Sequence, residues 1–221
     1  MYSMKTLIAT SIVSSALLAC TSTFAADKVE VNITPDMPSV EVLHEGRKVT
    51  ITRNQNQNNT VNPDFSKTSR KCPPFCIQPA VVAPGVETIA ELEVLAYLAR
   101  MNAGDESILV IDSRTPDWVK RGTIPGAVNI PWTDLNPARG ADPISIGEIM
   151  LDKFGVKELE GLWDYSSART LVMFCNGMWC GQSPNNILNL LKFGYPADRI
   201  KWYRGGMQDW EILGLSTVPG K

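Results

Sequence analysis

The chain has 221 residues and a formal net charge of −2; hydrophobic residues make up 44% of it and charged residues 20%. This composition excludes a fully disordered chain, a collagen-like chain and a polytopic membrane protein. The near-neutral charge, without a long block of Lys or Arg, argues against a nucleic-acid-binding protein. His44 is the only histidine, which excludes any mechanism or metal site that needs two. We therefore predict no metal site and no cofactor, and chemistry is left to the cysteines and carboxylates.

Residues 1–25 have the pattern of a secretory signal peptide. Lys5 is their only charged residue, an apolar run extends from Leu7 to Ala19, and small residues follow around Ala25. The apolar run is too short and too polar for a stable membrane span. We predict an exported, periplasmic protein cleaved after Ala25, with a lipid anchor on Cys20 as the minor alternative. Disulfides persist in such an oxidising compartment.

Residues 26–84 are predicted to form an N-terminal extension with three parts. Alternating apolar residues up to about Arg53, around a turn at residues 44–47, predict a small β-hairpin with His44 as an exposed turn residue. Residues 54–71 are rich in Asn and Gln, have few apolar side chains, and are expected to form an unstructured linker. The third part contains Cys72 and Cys76. We expect a structural disulfide there, with a redox pair or part of a metal site as alternatives.

Residues 85–221 alternate between helical and strand patterns. An amphipathic helix is predicted over Glu91–Met101, with Leu92, Leu95, Ala96 and Leu98 on its apolar face. Short apolar runs at residues 108–111, 171–174 and 200–203 are typical of buried parallel strands. Further helices are predicted from a cap at Thr115, from a cap at Ser183, and over residues 207–213. This order predicts an α/β fold with a parallel sheet covered by helices on both faces.

The loop from Cys175 to Gln182 joins a predicted buried strand to a predicted helix. Ligands of open α/β sheets bind at the carboxyl ends of the strands, where loop amides and a helix N-terminus favour a thiolate. Cys175 is therefore the candidate nucleophile, although a structural disulfide with Cys180 would also fit the spacing. Trp179 is a candidate pocket wall, while the other tryptophans are expected in the core or at the domain edge. The active-site loop around Cys175 comprises Asn176, Gly177, Met178, Trp179, Cys180, Gly181 and Gln182.

Several motifs in the second half of the chain resemble the rhodanese-like (sulfurtransferase) family. They lie between residues 86 and 214 and are Leu109–Arg114, Gly122–Pro131, Phe174-Cys175, Gly194-Tyr195 and Tyr203–Trp210. The resemblance implies a rhodanese-like parallel sheet and a Cys175 that carries sulfane sulfur as a persulfide. It also implies that Asp112 and Arg114 support the loop from below. The implied partners are a small sulfur-containing donor and a thiol or similar acceptor.

The loop also departs from the family pattern. Ser183 lies eight positions after Cys175, whereas the family usually has six, and the loop contains no Arg or Lys. A longer, uncharged loop leaves thiosulfate open as a substrate and favours a bulkier or thiol-bearing one. The related phosphatases need an Arg six positions after the nucleophile to clamp phosphate, and here that residue is Gly181. We therefore do not expect phosphatase activity.

Two other functions are compatible with the sequence. Cys180 is a candidate resolving cysteine, which could attack a persulfide on Cys175, expel sulfide and leave a disulfide. The protein would then be a thiol-disulfide oxidoreductase with a redox partner protein. The third interpretation is a non-catalytic rhodanese-fold module that binds a partner through its Asn/Gln-rich segment.

Overall fold

The structure is a computed structural model that describes residues 30–220, so the predicted signal peptide at 1–25 lies outside the described residues. No helix within residues 30–220 is long and apolar enough to cross a membrane. The strands are β1 (Ser39–His44), β2 (Arg47–Thr52), β3 (Glu87–Ile89), β4 (Ile108–Asp112), β5 (Val128–Asn129), β6 (Lys157–Leu159), β7 (Leu162–Asp164), β8 (Thr170–Phe174) and β9 (Ile200–Tyr203). The α-helices are α1 (Glu91–Asn102), α2 (Pro116–Val119), α3 (Pro143–Glu148), α4 (Gln182–Lys192) and α5 (Gly206–Ile212).

A five-stranded parallel sheet forms the centre, in the order β3-β9-β8-β4-β5. Successive side chains of its strands point to opposite faces. Val110 and Val172 therefore join the core cluster that contains α1 and α5, while Ile111 and Met173 join the cluster that contains α3 and α4. Both faces are covered, which confirms the predicted α/β class and the helices on both sides of the sheet.

The N-terminal hairpin is confirmed, but the prediction for His44 is wrong. Strands β1 and β2 pair antiparallel, and their residues Val40, Val42 and Ile51 are buried in the same cluster as α1. His44 ends β1 on the side that faces the domain. It is 7% exposed, and its Nδ1 accepts a hydrogen bond from the Gly126 N–H at 3.1 Å. Alternation along the strand places His44 on the same face as Val42, which explains its burial.

The predicted linker at residues 54–71 contains no strand or α-helix, but it is attached to the domain. The asparagines satisfy the backbone locally, as where Asn54 Oδ1 accepts from the Asn56 N–H. Phe65 is buried in the core beside α5, and its carbonyl accepts a hydrogen bond from Gln208 Nε2. A single large apolar side chain, together with side-chain-to-backbone bonds, anchors a segment whose average composition is polar.

Three helix details differ from the sequence predictions. Helix α4 begins at Gln182 after Gly181, so Ser183 lies inside its first turn, fully buried, and does not cap it. Thr115 precedes α2 without a side-chain capping bond, and α2 ends at Val119. Leu92 of α1 is half exposed, because Val94 occupies the core face in its place.

Candidate active site

Cys175 directly follows β8, at the carboxyl edge of the sheet, and its backbone is fixed by the start of α5. The Cys175 carbonyl accepts a hydrogen bond from the Met207 N–H at 2.9 Å. Gly206 lies against that carbonyl with a φ of +56°, and a Cβ built on it would overlap the carbonyl oxygen. Only glycine permits both the left-handed backbone and this close approach.

The sulfur of Cys175 lies close to several hydrogen-bond donors and to one acceptor, the Cys180 carbonyl oxygen, at 3.4 Å. Cys175 is 3% exposed, because later residues of the loop lie against its side chain. Ser183 Oγ donates to Cys175 Sγ at 3.1 Å, and Trp202 Nε1 donates to the same hydroxyl oxygen at 3.1 Å. The Trp202 bond occupies an acceptor site of the hydroxyl and so directs its proton towards the sulfur. The backbone N–H groups of Gly177 and Ser183 also interact with Cys175.

Cys175 and Cys180 are both free and in contact, and their environments drive their protonation apart. Burial raises the pKa of Cys175, but hydrogen bonds from the side chains of Cys180 and Ser183 and from the two backbone N–H groups outweigh it and lower that pKa to about 7. Burial, the bond to Cys175 and the negative charge there raise the pKa of Cys180 well above its ordinary value. Near pH 7 Cys175 is therefore partly ionised, and its thiolate form accepts a hydrogen bond from Cys180, which stays a thiol.

Asp112 and Arg114 form a buried ion pair below the loop. Their side chains are each 1% exposed, and Arg114 Nη2 lies 2.6 Å from Asp112 Oδ2. Thr123 Oγ1 donates to the same carboxylate, which satisfies it further. Arg114 Nη1 donates to Asn176 Oδ1 at 3.3 Å, so the pair reaches the residue that follows Cys175. The structure thus brings these two residues and the loop together.

The remaining loop residues hold the loop to its surroundings. Trp179 Nε1 donates to Gln208 Oε1 of α5 at 2.8 Å. The Met178 carbonyl accepts from the Gln78 N–H at 2.8 Å, which attaches the loop to the N-terminal extension. Gly181 precedes α4, and Gln182, the first residue of α4, lies with its Oε1 3.7 Å from Cys180 Sγ. No group of three His, Cys, Asp or Glu side chains suited to a metal ion occurs in the described part of the chain.

A family model for the Rhodanese-like domain matches residues 94–213, more than half of the chain. The chain belongs to the rhodanese-like domain family. Among the curated proteins, none matches it. Solved structures that match include a protein from Bacillus halodurans (19% identity, TM-score 0.39, covering 56% of this chain and 70% of that one). Thiosulfate sulfurtransferase from Pseudomonas aeruginosa also matches (18% identity, TM-score 0.41, covering 62% of this chain and 21% of that one). So does the human single-domain sulfurtransferase (20% identity, TM-score 0.34, covering 57% of this chain and 95% of that one). The match to the Pseudomonas enzyme thus spans about a fifth of its length.

Outside the matched residues, the extension packs onto the active-site loop of the rhodanese-like domain. The structure pairs Cys72 with Cys76, with Cα atoms 4.7 Å apart, in the arrangement of a disulfide. Phe75 between them meets the Trp179 ring edge-on, with ring centroids 5.7 Å apart. The guanidinium of Arg70 lies 3.8 Å from the centroid of the Trp179 ring. The sequence indicated no cation at this loop, because Arg70 is distant from it along the chain.

A cavity of about 310 Å³ lies against the loop of this rhodanese-like domain. Its lining includes Trp179, the candidate pocket wall, and Cys180, which interacts with Cys175. Trp118 and Trp132, expected in the core or at the domain edge, also line it. In the described part of the chain, the lining residues are Pro74, Phe75, Trp118, Trp132, Arg139, Asn176, Trp179, Cys180, Gly181, Gln182 and Asn185.

Proposed function

We propose that the protein is a sulfurtransferase that carries sulfane sulfur as a persulfide on Cys175. The observation that carries this proposal is the hydrogen-bonded Cys175 sulfur, whose pKa is about 7, at the carboxyl end of β8 in a rhodanese-like domain. The thiolate is the reactive form of cysteine, and a thiol with a pKa near ambient pH combines a substantial ionised fraction with strong nucleophilicity.

The reaction divides into two displacements at sulfur. The Cys175 thiolate attacks the outer sulfur of the donor, the donor's own bond to that sulfur breaks, and its electron pair leaves with the remainder of the donor. The product is a Cys175 persulfide anion, within reach of the N–H groups of Gly177 and Ser183. An acceptor thiolate then attacks the outer sulfur and Cys175 leaves as a thiolate. Because Cys175 ionises near pH 7, the first step needs no histidine as a general base.

The experiment is intact-mass measurement after incubation with thiosulfate, inorganic polysulfide or glutathione persulfide. Wild type should gain one sulfur atom on Cys175, and Cys175→Ser should gain none, since a hydroxyl is not ionised at this pH. Cys180→Ser is the matched control, because it removes the neighbouring thiol and keeps the nucleophile. Continued sulfur loading of Cys175→Ser would show that another cysteine is the carrier. Circular dichroism of both variants checks that the fold is intact.

The second candidate function is thiol-disulfide exchange through Cys175 and Cys180. The contact between a thiolate and a thiol in one loop favours it. The Cys180 sulfur, on losing its proton, would attack the inner sulfur of the persulfide and expel hydrosulfide, leaving a disulfide. A dithiol redox protein would be required to restore both thiols. In the mass experiment this reaction gives a loss of two hydrogens, whereas a non-catalytic binding module would show neither change.

A further inference from the structure

The cavity beside the active-site loop is larger than a small inorganic anion requires. Its volume of about 310 Å³ lies at the lower end of the range for organic ligands, roughly 300 Å³ and above. Its floor is part of the active-site loop, including Asn176 and Cys180. Cys175 itself does not line the cavity, but Cys180, which does, interacts with the Cys175 sulfur, so a molecule bound in the cavity is one side chain away from that sulfur.

Three tryptophans and a phenylalanine form the walls. Trp118, Trp132 and Trp179 come from the rhodanese-like domain, whereas Phe75 comes from the extension and lies outside the residues that match the family. Flat aromatic walls bind flat or apolar groups through their large contact area. The extension therefore supplies a wall of the site that the rhodanese-like domain by itself does not contain.

The charge of the cavity favours an anion. Among residues 30–220, Arg139 is the only charged residue that lines it, and no Asp or Glu of that range does. The guanidinium lies 5.1 Å from the centroid of the Trp132 ring, which holds it at the wall. Within residues 30–220, no carboxylate lies within ion-pair distance of Arg139, so its charge is available to a ligand. By contrast, Arg121, which stacks on Trp118, pairs with Asp64 at 3.4 Å.

We propose that this cavity is a binding site for an organic sulfur donor that has an aromatic or similarly flat apolar body and one anionic head. Phe75 and Arg139 are its specificity residues, the first for the body and the second for the charge. The proposal rests on the proposed function for its chemical step, but binding alone can test it. An aryl thiosulfonate is the simplest compound of this class.

With such a donor the step balances without any further reactant. The Cys175 thiolate attacks the terminal sulfur of benzenethiosulfonate, and a new S–S bond forms. The sulfur–sulfur bond of the donor breaks, and benzenesulfinate leaves with its electron pair. No oxidant, reductant or proton is consumed.

Binding is measured on Cys175→Ser, in which no sulfur transfer can occur, by calorimetry with three unreactive probes. Benzenesulfonate has both the ring and the charge, methanesulfonate has the charge alone, and benzenesulfonamide is the neutral aromatic compound. Benzenesulfonate should bind at least tenfold more tightly than either of the others. Adding Arg139→Gln should remove the advantage over the sulfonamide, and adding Phe75→Ala the advantage over methanesulfonate. Equal binding of the three probes would overturn the proposal.

Kinetics on the otherwise unmodified protein separate this proposal from the proposed function. Phe75→Ala should lower kcat/KM for benzenethiosulfonate about tenfold more than that for thiosulfate, which has no ring, whereas Arg139→Gln should lower kcat/KM for both anionic donors. The matched control for Phe75→Ala is Ile77→Ala, at an exposed residue of the extension. The control for Arg139→Gln is Arg121→Gln, because Arg121 also stacks on a tryptophan but does not line the cavity. Sulfur transfer that is insensitive to both cavity substitutions would refute the cavity proposal alone. Selective probe binding without any persulfide would refute the sulfurtransferase alone.

Discussion

Ser183→Ala tests whether the hydroxyl above Cys175 sets the ionisation of its sulfur. Ser183 Oγ lies 3.1 Å from Cys175 Sγ in a buried site, and the Trp202 indole fixes its orientation. A hydrogen bond to a charged group contributes about 1.5–3 kcal/mol, and one pKa unit corresponds to about 1.4 kcal/mol. Its loss should raise the pKa of Cys175 from about 7 to about 8–9.

The assay is the rate of alkylation of Cys175 by iodoacetamide as a function of pH, with the modified peptide identified by mass. Because the thiolate is the reactive form, the wild-type rate should rise through a midpoint near pH 7 and then level off. In Ser183→Ala the rate at pH 7 should fall about 5- to 50-fold, which corresponds to an upward shift of about 1–2 pKa units. The control is Ser167→Ala, whose hydroxyl bonds the Gly155 carbonyl on the exposed surface.

The high-pH plateau separates ionisation from accessibility. Above both midpoints, the wild-type and Ser183→Ala rates should converge, since Cys175 is then fully ionised in each. A midpoint that stays near pH 7 in the variant would refute the reasoning and assign the low pKa to the backbone N–H groups and Cys180. A lower plateau with an unchanged midpoint would mean that the substitution alters only access to the sulfur.

Three other substitutions have defined outcomes. Asp112→Asn leaves its buried arginine partner uncompensated and should lower the free energy of unfolding by about 3–5 kcal/mol, measured by urea denaturation. In Gly206→Ala the new methyl group overlaps the Cys175 carbonyl, so persulfide formation should be slower. The control is Gly140→Ala, where no atom lies within 4 Å and only backbone strain of roughly 1–2 kcal/mol is expected; Gly206→Ala should lose more stability than this control. Cys180→Ala should still load sulfur, with a higher pH midpoint because a donor is lost, and should accumulate overoxidised Cys175 under mild peroxide. Equal rates of irreversible loss in wild type and Cys180→Ala would exclude a resolving role.

The parts of the fold that the sequence predicts are those with a local cause. The apolar run at residues 108–111 is continuous because a central parallel strand is buried on both faces, and the structure extends it by one residue to Asp112. The hairpin was predictable from alternation around Gly46, which adopts the positive φ that the turn requires. The position of Cys175 followed in the same way, since a buried strand, a loop and a helix in succession place the loop at the carboxyl edge of a sheet.

The parts that were not predictable depend on contacts between distant residues. A serine next to a helix start is ordinarily its cap, and no local signal distinguishes Ser183 from a cap. Its actual role depends on Cys175, eight positions earlier, and on Trp202, in another strand. The polarity of residues 54–71 is real, but average composition does not show that Phe65 has a buried site beside α5.

The charge of the active site is the clearest case of this kind. The loop has no Arg or Lys, so the sequence alone indicated no cation that could bind an anionic donor. In the structure, Arg70 of the extension covers Trp179 from one side, and Arg139 of the rhodanese-like domain lines the cavity next to Cys180. Electrostatic attraction acts through space, so a cation from another segment serves an anionic donor as well as one within the loop. Neither arginine belongs to the loop itself. The cavity with aromatic walls lies against the loop, and Arg139 is part of its lining.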